Sequence, residues 1–479
     1  MTDNQFSVTS ARNGRPTSRH RLLIIAHWSF AVLAALVSSC ALPGEEPLPD
    51  GMSDNRADLV GHIRDNPNDI DAHADLLRMQ IKSGDVEGAM ATVSHVLKHN
   101  ERDFRAHLLD AQFQRWQLNL LGAEAGLRKA RDIAPERLEP CVALAGLYNQ
   151  SYLQREEVRI REIAAGLAPV ELRAEFLLDL GLCHWQVRDA ERAATLNADD
   201  AGIPAAVRAR ALVMRAEMAL GRGGSGDAAG YIRAAFRLDP ENTGILQFAA
   251  RAVTVLDDPA PLGELFDETL AGKDRAELRW TALFGHWMLA VRKAADSDPL
   301  AEPVERWRLR LEVMEPGHPD VAVRYLQLLR LRPEREAEAK QLEESLNDYG
   351  LGTPPAPDTQ AALLALWRAE DALRTGAPSV ALATIARLEE TQPDLEGLRL
   401  MRIMALFVAC DFALCLEQID RWLAESGEAD EMLLSTRWVI LLRLNRPADV
   451  LADIRARELK SNAARWFEAV ANFHTYRQR

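Results

Sequence analysis

The stretch that decides the fold is residues 135–169, PERLEPCVALAGLYNQSYLQREEVRIREIAAGLAP, which begins and ends with proline. Inside it, large residues one helical turn apart flank a small one, in the order Cys141, Leu144, Ala145 and Tyr148. Such spacing lets one helix lie closely against the next. The stretch therefore predicts two short helices that pack against each other as a hairpin.

This hairpin is one copy of a repeat that recurs along the chain. The boundaries between copies fall at equal steps, at Pro67, Glu101, Pro135 and Pro169. Small residues recur where two helices must approach closely, at Gly84, Ala89, Ala111, Ala123 and Ala130. The pattern returns downstream with slips, in units spanning residues 216–240, 369–393, 410–419 and 438–454. Since self-similarity at a fixed period is the signature of a repeat architecture, we expect an array of helical hairpins.

A second copy of the motif, with Leu177, Leu180, Gly181 and His184, has the same spacing. The two copies resemble the W-x2-L-G-x2-Y signature of tetratricopeptide repeats (TPRs), and the resemblance extends over most of residues 57–460. It implies an all-α fold, an α-solenoid that winds as a right-handed superhelix of TPR-like hairpins. Its concave face would be built chiefly from the first helix of each hairpin. No strand-like alternation is sustained over several segments.

The repeats predict two solenoid segments. The N-terminal segment spans 57–348 and loses its period after about residue 243. A linker at 349–359 follows, because LGTPPAPD (351–358) is the strongest helix-breaking stretch. The C-terminal segment spans 360–479 and closes with a helix at 462–476, whose apolar face would cap the last hydrophobic edge with Trp466, Phe467, Val470 and Phe473.

The N-terminus has the pattern of a secretory signal peptide. Four arginines lie within residues 1–21, and an apolar run follows over 22–37. The run ends in Val37, Ser38, Ser39 and Cys40, which resembles the bacterial lipobox. The resemblance implies a signal peptide at 1–39, removed by cleavage, and a diacylglycerol on the thiol of Cys40. A flexible tether would then span 40–56.

This signal places the body of the protein outside the cytoplasm, because the arginines stay inside. Ala41 follows the cysteine where an inner-membrane-retention Asp might stand, so we favour a lipid anchor in the outer membrane, facing the periplasm. The alternative is an uncleaved helix extending to about Leu42, which would make the chain a bitopic inner-membrane protein with a periplasmic body.

Composition excludes several classes of protein. The 479 residues include 57 Lys and Arg against 71 Asp and Glu, a net charge of −14, which argues against nucleic acid as a partner. Five cysteines, without C-x-x-C or paired zinc spacing, form neither a disulfide-dense scaffold nor a zinc ribbon. Adjacent acids such as Glu156 and Glu157 are expected on solvated helix faces.

Two short motifs fit structural roles better than chemical ones. Gly221, Gly223 and Gly226 match G-x-G-x-x-G, but no predicted strand precedes them, so we expect a turn between helices. His95 and His99 have the spacing of zinc-binding histidines on a helix, but the intervening Glu and a third ligand are missing. We therefore expect no cofactor and no metal.

The cysteines beyond the signal are interpreted as packing residues. Cys410 and Cys415 bracket a predicted turn, and Cys415 stands at the small buried position of a second helix. A disulfide between these two thiols in an oxidising periplasm remains open. Cys141 and Cys183 occupy positions in first helices and are also expected in the core.

We find no motif of an enzyme in this sequence and predict that it is not one. There is no G-x-S-x-G and no G-x-x-x-x-G-K-[ST]. The alternative is an unrecognised active site in residues 243–348, where aromatic and imidazole groups concentrate at Trp280, His286, Trp287 and Trp307.

The predicted binding surface is the concave groove. In TPR proteins five positions of each first helix line it, and their register selects Arg78, Lys82, Arg105, Gln112, Arg115, Trp116, Asn149 and Gln150. This basic, amide-rich set with one aromatic would suit an extended or acidic segment of a protein partner. The alternative is a merely solvated face. Together these features predict an envelope-anchored scaffold lipoprotein that helps to assemble a secretion, pilus or polysaccharide-export complex.

Overall fold

The computed structural model of the protein describes residues 56–194, 196–222, 225–272, 274–294, 298–349, 354–426 and 431–478. Within these ranges the chain forms 24 α-helices, one short 3-10 helix and no strand. The fold is an all-α solenoid of TPR-like hairpins, as predicted. The predicted signal peptide, Cys40 and the tether as far as residue 55 lie outside the described residues. None of the helices that are described combines the length and the hydropathy needed to span a membrane.

The described residues fall into two compact units. The terminal unit comprises residues 56–245, 375–379 and 403–478, and the middle unit comprises 246–374 and 380–402. The first helices of the terminal unit are α1 (Arg56–Asp65), α2 (Ile70–Ser83), α3 (Val86–His99), α4 (Phe104–Trp116), α5 (Leu120–Ile133), α6 (Glu139–Gln150), α7 (Gln154–Leu167), α8 (Val170–Gln186), α9 (Ala190–Ala193), α10 (Ala205–Gly221) and α11 (Ser225–Leu238).

The remaining helices follow in chain order. Those that lie wholly or mostly in the middle unit are α12 (Thr243–Val255), α13 (Ala260–Gly272), α14 (Ala276–Lys293), α15 (Glu302–Met314), α16 (Pro319–Arg330), the 3-10 helix Pro333–Arg335, α17 (Glu336–Asp348), α18 (Gln360–Arg374) and α19 (Pro378–Thr391). Helix α20 (Leu398–Val408) leads back into the terminal unit, which ends with α21 (Phe412–Ser426), α22 (Glu431–Arg443), α23 (Pro447–Ala456) and α24 (Asn462–Gln478).

The turn inside the hairpins of the terminal unit has one recurring shape. Gly84, Leu118 and Tyr152 lie one repeat period apart, and all three adopt left-handed φ angles of 72°, 59° and 59°. At Leu118 the backbone N–H donates to the carbonyl of Arg115 (2.9 Å), and the next N–H donates to that of Gln114 (2.8 Å). The same pair of bonds closes the turns at Gly84, Tyr152, Arg188, Cys410 and Asn445. This is the Schellman motif, which satisfies the last carbonyls of a helix.

The residue after the left-handed position begins the next helix. Asp85 and Asn119 each accept a hydrogen bond from the backbone N–H three residues later, at 2.9 and 3.1 Å. Asp189 and Asp411 do the same. An acidic or amide side chain at this position satisfies an N–H that the helix itself leaves open. Two adjacent residues therefore end one helix and start its partner, which sets the period.

One small residue has a different role from the one predicted. Ala89, Ala123 and Ala130 are fully buried between helices, as expected. Gly84 instead occupies a turn in which an added Cβ would meet nothing within 4 Å, so helix packing does not require glycine there. Its positive φ favours glycine, because a residue with a side chain is strained in this conformation, although Leu118 and Tyr152 adopt it at the equivalent turns.

The C-terminal hairpins of the terminal unit fold back along these turns. Ser379 Oγ donates to the carbonyl of Gly221 (2.8 Å), Cys410 Sγ lies 3.1 Å from the carbonyl of Gln186, and His474 Nε2 lies 2.7 Å from that of Ser151. As the contacting residue moves from 379 to 474 along the chain, the contacted turn moves from 221 back to 151. The two rows of hairpins therefore run antiparallel. We call this row of contacts the seam.

Helix α24 confirms one prediction and adds a role that was not predicted. Its face of Trp466, Phe467, Val470 and Phe473 is buried, as expected for the closing helix. It also completes the seam, since the ring of Phe467 stacks on that of Tyr152 with centroids 6.1 Å apart. The hydrophobic periodicity shows which face of a helix is buried, whereas it carries no information about which distant turns that helix covers.

The middle unit is organised around a buried ion pair. Arg324 Nη2 donates to Asp371 Oδ1 at 2.8 Å, and Thr254 donates to the other carboxylate oxygen at 2.8 Å. The guanidinium also lies over the ring of Trp367, 4.8 Å from its centroid. This cluster joins helices α12, α16 and α18, so the stretch in which the period is lost still forms packed helices.

Residues on both sides of the predicted linker at 349–359 belong to the middle unit. Gln327 Nε2 donates to the carbonyl of Pro355 at 2.9 Å, and Arg330 donates to that of Pro354 at 2.8 Å. The described part of the linker is thereby tied to α16. The division into segments at 57–348 and 360–479 stays a prediction.

Candidate functional site

The predicted groove residues lie on α2, α4 and α6, and two of their four cations are paired with carboxylates. Arg78 forms an ion pair with Asp75 at 2.8 Å. Arg105 pairs with Asp103 at 2.9 Å and lies 3.7 Å from Asp71, and its hydrogen bond lowers the pKa of Asp103. These carboxylates reduce the positive charge that the sequence pattern suggested for this face.

Two of the predicted residues contact each other. Arg115 Nη2 donates to Gln150 Oε1 at 2.6 Å, and both side chains are half-buried. Burial lowers the pKa of Arg115, since a charged guanidinium is less stable away from water. The bond joins the ends of α4 and α6, so these two groups hold neighbouring hairpins together.

Asn149 belongs to a polar cluster around Glu157, a residue that was expected on a solvated helix face. Its amide lies 3.1 Å from both carboxylate oxygens of Glu157, which is only 2% exposed. Arg161 donates to the same carboxylate at 2.9 Å, and the thiol of Cys183 lies 3.4 Å away. The expectation of a solvated Glu157 is therefore wrong, because three side chains compensate its burial. The i, i+4 spacing of Glu157 and Arg161 was the available signal.

The exposed members of the predicted set are Lys82 and Arg105, with Gln112 half-buried. Trp116, the one aromatic of the predicted set, is half-buried and packs against the core of the first two hairpins. Its ring lies 6.0 Å from that of Phe113. Its remaining surface lines a pocket of about 400 Å³ beside the first residues of α24.

The seam contains functional candidates that the sequence analysis missed. Arg477 of α24 pairs with Glu124 and, at 3.1 Å, with Glu156. Tyr148 donates its hydroxyl to Glu124 at 2.7 Å, and both burial and this carboxylate raise the pKa of the phenol. Arg477 follows Glu124 by 353 residues and Glu156 by 321 residues, and local spacing carries no signal for such pairs.

His95 and His99 are joined by a third histidine. His73 is 1% exposed, and its ring stacks on that of His95 with centroids 5.3 Å apart; the ring of His99 lies 4.4 Å beyond. In the part of the chain that the structure describes, no three His, Cys, Asp or Glu side chains are arranged to hold a metal ion.

The glycine motif and the buried Cys141, Cys183 and Cys415 take the structural positions expected of them, whereas Cys410 lies half-buried within the turn itself, at a φ of 59°. Helix α10 ends at Gly221 and α11 begins at Ser225, so the glycines lie at a helix-to-helix turn; Gly223 is outside the described residues. Cys415 is fully buried, and burial raises the pKa of its thiol to about 12. Cys410 and Cys415 are not joined in a disulfide.

The aromatic concentration proposed as an alternative active site separates into two groups. The ring of Trp280 stacks on that of Phe284 with centroids 5.4 Å apart, and the centroid of Phe284 lies 5.8 Å from that of Trp287. His286 instead stacks on Trp307 at 4.5 Å. Residues one apart on a helix point in different directions, so His286 and Trp287 face different neighbours and the four side chains do not converge on one site.

No family model matches the sequence, and no curated protein is significantly similar to it. Among solved structures, yeast Tom70 is 12% identical, with 92% of this chain and 100% of that chain covered and a TM-score of 0.28. The P58(IPK) TPR domain is 11% identical, with 86% and 99% covered and a TM-score of 0.22. The pilF protein of Pseudomonas aeruginosa is 16% identical, with 53% and 94% covered and a TM-score of 0.27. With TM-scores this low, these similarities do not indicate a function for the chain.

Proposed function

We propose that the chain is a scaffold that binds protein partners at the bacterial envelope and catalyses no reaction. The observation that carries this proposal is the seam of the terminal unit, where Ser379, Cys410 and His474 fix one row of hairpins against another. A surface fixed in this way loses little conformational freedom when a partner binds, so more of the contact energy appears as affinity.

The envelope location rests on the lipobox-like residues that end in Cys40. Two acyl chains on one cysteine anchor a protein stably, because a single chain gives only marginal membrane binding. The tether at 40–56 would then hold the body near the outer membrane, in the periplasm. An uncleaved inner-membrane anchor is the alternative, and both locations suit a protein that assembles a secretion, pilus or polysaccharide-export complex.

The partner-binding groove is best represented by Lys82, Arg105 and Gln112. Lys82 on α2 and Arg105 on α4 are exposed, and Gln112, also on α4, is half-buried. Arg105 is paired with Asp103 but keeps its exposure, whereas Arg115 and Asn149 are half-buried and held by Gln150 and Glu157. An extended or acidic segment of a partner would contact the exposed groups in turn.

Copurification from detergent-solubilised envelope tests the groove. We expect the variant Lys82→Ala/Arg105→Ala to lose at least one partner that the wild-type protein retains. The matched control is Lys129→Ala/Arg455→Ala, which removes two exposed cations from the second helices α5 and α23. Identical partners for all three proteins would move the binding surface elsewhere.

Mass spectrometry of the mature N-terminus tests the anchor. A diacylated N-terminal Cys40 is the expected result, and Cys40→Ala should abolish processing. An intact Met1 would instead support the uncleaved inner-membrane helix. The absence of any partner in wild-type preparations made under several detergents would contradict the scaffold function itself.

A further inference from the structure

The seam shows how this protein covers the turn edge of a hairpin. Helix α24 contacts the turn at Tyr152 through Phe467 and His474. It also shares a pocket of about 350 Å³ with the turn at Leu118, lined by Phe473 among others. An amphipathic helix with an apolar stripe is therefore the element that fits against a turn of this kind.

The first hairpin presents the same kind of turn at the open end of the seam. Past Gly84, the apolar side chains of Val86 and Met90 are 46% and 54% exposed. Val86 lines a pocket of about 400 Å³ together with Trp116, Gln117, Leu118, Asn462 and Arg465. Met90 lies one turn further along α3, on the same side of the helix as Val86. Helix α24, which covers the later turns, begins at this pocket. The row of turns continues past it to Gly84.

Two cations accompany this apolar surface. Arg465 is exposed on the first turn of α24, and within the described residues it takes part in no ion pair. Lys82, just before the turn, is also exposed and unpaired over the same ranges. Tryptophan and arginine beside a pocket are the residues that most often dominate binding energy at protein interfaces.

We propose that this surface, the ledge, formed by Val86, Met90, Trp116 and Arg465, binds an amphipathic helix of a partner protein. The helix inserts an apolar side chain beside Trp116 and places a carboxylate one turn away, against Arg465. The inference rests on the proposed function as a scaffold and names a second surface, on the turn edge rather than in the groove. We expect the occupant to be a helix because this surface continues the seam, where α24 covers the turns. We expect it to be acidic because the cations beside the ledge form no ion pair in the described ranges.

The test uses a phage-displayed library of helical peptides selected on the full-length protein in detergent. We expect enriched peptides to carry an apolar residue with Asp or Glu three or four positions away. Met90→Glu and Arg465→Glu should each weaken binding of the best peptide at least tenfold, and a peptide with Lys in place of its acid should regain affinity for Arg465→Glu. Both substitutions are at exposed positions, so the fold is retained. Val170→Glu, at an apolar position 80% exposed on another edge, is the matched control and should leave affinity unchanged.

Enriched peptides that bind all variants equally, or a library that yields none, would overturn the ledge as a helix-binding site. Sedimentation analysis gives a separate outcome, since a dimer of this chain that Met90→Glu dissociates would show that a second copy occupies the ledge and would also overturn the proposal. Partners that copurify with wild type and depend on Arg105, but not on Met90 or Arg465, would leave the scaffold function standing while refuting the ledge.

Discussion

Replacing Asp371 with alanine should destabilise the middle unit more than any surface change. Asp371 is 1% exposed and Arg324 is 7% exposed, so both charges are withdrawn from water. The carboxylate accepts hydrogen bonds of 2.8 Å from Arg324 and from Thr254. Its removal leaves a buried guanidinium without its nearest counter-charge, which typically costs about 3–5 kcal/mol.

A second variant separates lost pairing from lost packing. In Arg324→Met/Asp371→Leu both charges are replaced by apolar side chains of similar length. Exchanging a buried ion pair for well-packed apolar residues is often neutral or stabilising by about 1–4 kcal/mol. We therefore expect the double variant to be more stable than the single Asp371→Ala variant by several kcal/mol.

Hydrogen exchange measured by mass spectrometry on the full-length protein provides the local readout. Amides of α18, which carries Asp371, should exchange roughly 100- to 4,000-fold faster in Asp371→Ala, the ratio that corresponds to about 3–5 kcal/mol. Amides of α2 serve as an internal reference in the terminal unit. A change under about 1 kcal/mol, or a double variant as unstable as the single one, would refute the account of the buried pair.

Three further predictions concern the terminal unit. Arg477→Ala should speed amide exchange in α24 and cost about 1–3 kcal/mol, because Glu124 is 7% exposed and loses one of its partners. Gly84→Ala should lower the free energy of unfolding by about 1 kcal/mol through its φ of 72°, whereas Gly146→Ala, inside a helix with open space around it, should raise it by about 0.5–1 kcal/mol. Burial raises the pKa of Glu217 to about 7, so between pH 4.5 and 7 the folded protein keeps a proton that the unfolded chain has released. The free energy of unfolding therefore falls as pH rises through this window. Chemical denaturation should show Glu217→Gln becoming more stable relative to wild type over the same window.

Each of these predictions has an outcome that would contradict it. Arg421→Ala breaks an exposed pair with Glu417 and should change the free energy of unfolding by under about 0.5 kcal/mol. An equally small effect of Arg477→Ala would show that the seam ion pairs stabilise the protein no more than an exposed pair does. Equal effects of alanine at Gly84 and Gly146 on the free energy of unfolding would show that the left-handed φ of Gly84 does not set the cost of a side chain there. A constant difference between wild type and Glu217→Gln over the whole pH range would show that Glu217 does not titrate there.

The hairpins and their boundaries are predictable from sequence because they depend on local residues. Pro67, Pro135 and Pro169 lie in the loops between hairpins, as the repeat period predicts. The buried face of α24 also follows from its periodicity, since apolar residues three and four apart share one side of a helix. In both cases the information lies within a few turns of chain.

The candidate site is less predictable because it depends on contacts between distant segments. Register placed Arg115 and Gln150 in the groove, but it did not show that they bond to each other. Glu157 was assigned to solvent because Asn149 and Cys183, two of its three compensating groups, lie on other helices, and only Arg161 shares its own helix. The partners of Arg477 are invisible to any local pattern, because they lie far earlier in the chain, on α5 and α7.

The antiparallel return of the last hairpins has a consequence for biogenesis. Residues near 118 and 151 leave the ribosome long before His474 and Arg477 exist, so their final neighbours arrive only after most of the chain has been made. Contacts at such sequence separation form late, because closing a long loop costs entropy before any contact repays it. The early hairpins must therefore wait with an unfinished edge, and a chaperone that shields this edge until synthesis is complete would increase the yield of folded protein.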